Sequence, residues 1–69
     1  MTQEQARQEA ERRINSTIGL GFDISVQINL ISINREIELL EDIHKIDVIP
    51  YVIHKLNDLN QIKDELLKM

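Results

Sequence analysis

The chain has 69 residues, no cysteine, and 12 acidic against 8 basic side chains, for a formal net charge of −4. That length holds one domain at most and buries little surface on its own. The missing cysteine excludes disulfides and thiolate metal sites, so a chain rich in isoleucine, leucine and valine, with only Phe22 and Tyr51 as aromatics, is expected to complete its core by association.

The N-terminal segment reads as a helix over residues 2–15. Thr2 and Gln5 fit an N-cap and capping-box pair, and Gln, Glu, Ala and Arg fill the interior. Its apolar stripe is thin (Ala6, Ala10, Ile14), so residues 1–17 are taken as an N-terminal helix or mobile arm. Residues 18–69 are taken as an oligomerising strand-helix-helix core.

From Ile18 to Leu30 the apolar residues alternate without a break: Ile18, Leu20, Phe22, Ile24, Val26, Ile28 and Leu30. A period of two places them on one face of an extended strand, regular over Phe22–Leu30. A lone strand cannot pair its own backbone groups, so its partner would be a second copy of the chain. A rival reading winds the segment as a helix. Val26, Leu30, Ile33, Ile37 and Leu40 then form one stripe, and Ile24, Ile28, Ile31 and Leu39 form another on the opposite side.

Residues 33–46 read as an amphipathic helix with Ser32 as N-cap. Ile33, Ile37, Leu39, Leu40, Ile43 and Ile46 make its apolar face, and Glu41 and Lys45 form an i,i+4 pair. Pro50 opens the last helix at its first position, and Val52, Ile53, Leu56, Leu59, Ile62, Leu66 and Leu67 recur at three- and four-residue spacing. The predicted fold is thus mainly α with one strand per chain, an intertwined homodimer joined by an intermolecular β-ribbon. An all-α helical bundle, with 24–46 as one long helix, is the alternative. The predicted oligomer core is Phe22, Ile24, Val26, Ile28, Leu30, Ile37, Leu40, Ile43, Val52, Ile53 and Leu56.

No catalytic, cofactor or metal signature is present. Gly19-Leu20-Gly21 is too short for a phosphate loop, and His44 and His54 are ten residues apart. Helical spacing sends Asp42 and His44 to different faces, and His54 with Asp58 reads as an ordinary i,i+4 surface pair. No enzyme activity, small-molecule substrate or cofactor is expected. Residues 1–35 balance four acids against four arginines, whereas residues 36–69 carry eight acids and four lysines. The acidic residues Glu38, Glu41 and Asp42 form a candidate docking face for a protein partner. No apolar run approaches the roughly 20 residues of a membrane span, and the first 13 residues show no signal sequence. A cytoplasmic protein without a membrane partner is expected.

In the strand reading, Asp23, Ser25, Gln27 and Asn29 share the outward face, and Gln and Asn can read adenine edges from a ribbon in the major groove. With Gln27-Ile28-Asn29-Leu30 followed by Asn34-Arg35-Glu36-Ile37, by Leu39, Leu40, Ile43 and Ile46, and by the helix from Pro50, the chain resembles the ribbon-helix-helix (Arc/MetJ-type) family over residues 23–59. That resemblance implies a dimeric DNA-binding regulator in which Ser25, Gln27 and Asn29 face bases, with Arg12 and Arg13 placed on an arm along phosphates. Against it stands the acidic excess, whose field repels phosphate. Two functional expectations follow. The first is a non-enzymatic, homo-oligomeric protein–protein interaction module of the adaptor, inhibitor or assembly kind. The second is a ribbon-helix-helix-like transcriptional regulator with DNA as partner.

Overall fold

The computed structural model describes every residue from Met1 to Met69. Three helices follow one another: α1 (Gln3–Thr17), α2 (Phe22–Ile46) and α3 (Pro50–Leu67), with a 3-10 turn (Ile18–Leu20) between the first two. There is no strand. The ribbon expected over Phe22–Leu30 is the first third of α2, and the all-α bundle is the architecture that forms.

The correction has a local cause. An unpaired strand would leave its N–H and C=O groups without partners, whereas a helix closes them within the chain. The helix also turns Ser25 and Asn29, four residues apart, inward while Gln27 stays exposed, and the two meet the end of α1. The Ser25 hydroxyl donates to the Ile14 carbonyl at 2.9 Å, and the Asn29 amide donates to the Arg13 carbonyl at 3.2 Å and to Thr17 Oγ1 at 3.0 Å. Thr17 and Ser25 are also hydroxyl partners. The last carbonyls of a helix lack intrahelical donors, and these inward polar side chains supply them. Of the three residues expected to face bases, Ser25 and Asn29 are therefore buried and only Gln27 is exposed, and Ser32, expected as an N-cap, lies inside a continuous helix.

Capping explains the boundaries. The Thr2 backbone N–H donates to Gln5 Oε1 at 2.9 Å and the Gln5 N–H to Thr2 Oγ1 at 3.1 Å, completing the capping box of α1. Gly21, at φ 99° and ψ 150°, turns the chain into α2, a conformation that side chains with a Cβ resist. Ile49 caps α3 and Pro50 starts it, where the missing N–H costs no hydrogen bond.

The helices form an up-down-up bundle in which each touches the other two. Its core is Ala6, Ala10, Ile14, Ile33, Ile37, Leu59, Ile62 and Leu66, flanked by half-buried Val26, Leu30, Leu40 and Leu56. The two alanines let α1 approach closely, so the thin stripe is an asset rather than a weakness. The amino terminus fixes the start of α1 against α3 through Asp58, at 3.3 Å, so Asp58 pairs there and not with His54. Glu65, itself buried, is neutralised by Lys68 at 2.6 Å.

Candidate interaction surface

The predicted oligomer core divides in two. Ile37 and Val52 are buried and Val26, Leu30, Leu40 and Leu56 half-buried within the chain's own bundle, whereas Phe22, Ile24, Ile28, Ile43 and Ile53 are exposed. Phe22 to Leu30 therefore does not contribute one apolar face. It contributes two, facing opposite ways.

The reason is geometric. α2 has 25 residues, about 37 Å of helix, and runs the length of a molecule 39 Å long. α1 has 15 residues and α3 has 18, and both lie on the side of α2 that carries Ile33 and Ile37. Nothing covers the other side. There Ile24, Ile28, Ile31, Leu39 and Ile46 form a stripe in which Ile31 is 60%, Leu39 65% and Ile46 87% exposed. The five expose the equivalent of about three whole side chains, so covering them is worth roughly 5–9 kcal/mol per chain.

Two smaller apolar patches sit at the ends of the bundle. Ile18, Leu20 and Phe22 crowd the first connection, and Val48, Ile49 and Tyr51 the second. The accessible surface of 4838 Å² exceeds the roughly 4,500 Å² typical of a compact monomer of this mass. An isolated globular protein seldom displays this much contiguous apolar area, and such patches mark interaction sites.

The charged residues around the stripe are arranged unevenly. Arg35, Glu38, Leu39 and Asp42 line one shallow depression on α2. Glu41, the third residue of the expected docking face, is turned about 100° from Asp42 around the helix and does not line it. Lys45 reaches Asp42 at 3.8 Å, so the expected Glu41–Lys45 pair is replaced by an i,i+3 pair.

The residues assigned to DNA are dispersed. Ser25 and Asn29 are buried and Gln27 is exposed on α2. Arg12 is held by Glu9, and Arg13 contacts Glu9 at 3.2 Å and Glu36 at 3.5 Å. The Arg12 guanidinium, by hydrogen bond and by charge, holds the Glu9 carboxyl below the usual carboxylate range. Partial burial opposes that shift, and Arg13 adds to it. The same contact raises Arg12. Both arginines thus serve carboxylates on their own bundle, and no outward row of cations forms.

No group of three or more His, Cys, Asp or Glu side chains converges as a metal site. Asp42 is exposed while His44 is half-buried, separated as their spacing requires. No helix is long and apolar enough to cross a membrane. The chain matches no family model, no curated protein and no solved structure.

The sequence contained one usable signal for this surface. The second stripe, Ile24, Ile28, Ile31 and Leu39, emerges as soon as the segment is wound as a helix. The inward role of Ser25 and Asn29 has a weaker signal, their four-residue spacing eight and twelve residues beyond Thr17.

Proposed function

We propose that this chain is a small homo-oligomeric protein–protein interaction module of the adaptor, inhibitor or assembly kind. The observation that carries the reading is the uncovered apolar stripe of α2, five large aliphatic residues on one side of a helix whose other side already holds a complete core. A bundle of three helices this short gains stability from burial of such a face, and the apolar patches at its two ends leave room for further contacts.

The ribbon mode of DNA recognition has no strand to work with here, and two of its three base-facing residues, Ser25 and Asn29, are spent on closing the α1–α2 corner. The module reading depends on none of these residues.

Sedimentation velocity over a wide concentration range tests it. Mass above that of the 8.1 kDa chain, rising with concentration through the micromolar range, is the expected result. A single monomeric species at every concentration, up to the millimolar range, contradicts it.

A further inference from the structure

The stripe carries a charge pattern that selects its occupant. Positions 24, 28, 31, 35, 39, 42 and 46 follow one another along one side of α2 at three- and four-residue steps, and all are apolar except Arg35 and Asp42. These two stand seven residues apart, about 10 Å along the axis, which is too far for them to pair within one chain. Arg35 has no carboxylate partner in the bundle, and Asp42 reaches only the exposed Lys45. Leu39 lies between them, in the depression that all three line with Glu38.

We propose that the stripe is covered by a second copy of this chain, with the two α2 helices antiparallel about a two-fold axis at Glu38–Leu39. Arg35 of each chain then faces the partner's Asp42, and Ile31 faces the partner's Ile46. This pairing rests on the self-association reading above and adds to it the face, the direction and the register.

Three observations carry the assignment. A positive and a negative residue placed equally far from the midpoint between Glu38 and Leu39 make the surface complementary to itself only when the helices run in opposite directions. Parallel helices in register set Arg35 against Arg35 and Asp42 against Asp42, which is repulsive. The antiparallel register closes on itself, since the contact of residue 35 with 42 is also that of 42 with 35. The assembly therefore stops at two instead of growing into a filament. The same register carries Ile28 toward the partner's turn, where Val48 and Ile49 are also exposed. An anionic lipid surface is a poor rival, because Glu38, Glu41, Asp42 and Asp47 border the stripe and the acidic excess lies in this half of the chain.

The absence of native cysteine makes the register directly measurable. Arg35→Cys and Asp42→Cys variants of the full chain are mixed and treated with a short bismaleimide. The mixed dimer keeps one native Arg35–Asp42 contact while presenting one thiol pair. Covalent dimers joined 35 to 42 should accumulate in the mixture, with far less product from either variant alone. Efficient 35-to-35 linkage in Arg35→Cys alone indicates a parallel pairing and overturns the proposal. As a second readout, Arg35→Asp should weaken the dimer by about tenfold or more, and Arg35→Asp with Asp42→Arg should restore it. A dimer indifferent to both, with no mixed link, shows that the copies meet elsewhere. The register then fails while self-association stands. A chain that is monomeric throughout removes both.

Discussion

The two sides of α2 are built from the same residue types and do different work. Ile33 and Ile37 face inward and are buried, while Ile31 and Ile46, a few residues away on the same helix, face solvent. The inward side also holds Ser25 and Asn29, polar groups that a core tolerates only when hydrogen-bonded. The outward side, with Ile24, Ile28, Ile31, Leu39 and Ile46, holds as many branched aliphatic residues as the inward side, with Val26, Leu30, Ile33, Ile37 and Leu40. Hydropathy alone therefore cannot tell which side of this helix is the core. What decides is the pattern of the neighbours: α1 ends in carbonyls that need donors, and Ser25 and Asn29 are the donors that α2 brings to them.

The largest expected effect lies on the inward side. Ile33→Ala removes a fully buried side chain at the meeting of all three helices and should cost about 2–5 kcal/mol, most of the stability a bundle of this size possesses. Urea denaturation followed by circular dichroism measures it. Ile31→Ala, the outward counterpart, should leave the stability of the monomer within about 0.5 kcal/mol. Equal losses at the two positions would erase the distinction between the faces.

Asn29→Ala comes next. It removes an amide that donates to Arg13 O, Thr17 Oγ1 and Ser25 O, and leaves α1 carbonyls without those donors. A loss of about 1–3 kcal/mol is expected. Gln27→Ala, two residues away and exposed, should change stability by no more than about 0.5 kcal/mol. A reversed order of these two variants would restore the outward placement of Asn29.

The smallest effect is electrostatic. Glu9 is held in its charged form by Arg12 and Arg13, so its carboxyl is depressed in the folded chain. The resulting stabilisation is fully present above the ordinary glutamate range near pH 4.3 and disappears as pH falls through the lower folded value. Glu9→Gln should therefore cost about 0.5 kcal/mol at neutral pH and nothing once Glu9 is protonated in both states. A difference that grows on acidification would contradict the pairing.

Much of the bundle is readable from residue order alone. The capping box at Thr2 and Gln5, the stripe Ala6, Ala10, Ile14 and the start of α3 at Pro50 all follow from local chemistry and appear where that chemistry puts them. The segment Phe22–Leu30 is different. Its alternation satisfies a period of two, yet the same residues also satisfy two helical stripes because nearly every second position is aliphatic. Propensity favoured the strand, since isoleucine, valine, serine and asparagine are mediocre helix formers. The backbone's need for partners within one chain outweighs that preference, and Gly21 supplies the sharp entry that lets α2 begin at Phe22. The stripe was thus visible as a set of residues. Its exposure was not, because exposure depends on how far α1 and α3 reach along α2.

The most direct measurement compares Ile33→Asp with Ile31→Asp by far-ultraviolet circular dichroism at low concentration, where association does not contribute. A buried unpaired carboxylate at residue 33 should abolish the cooperative thermal transition and most of the helix signal. The same charge at residue 31 should leave both close to wild type. Retention of structure in Ile33→Asp, or its loss in Ile31→Asp, would contradict the assignment of the two faces of α2.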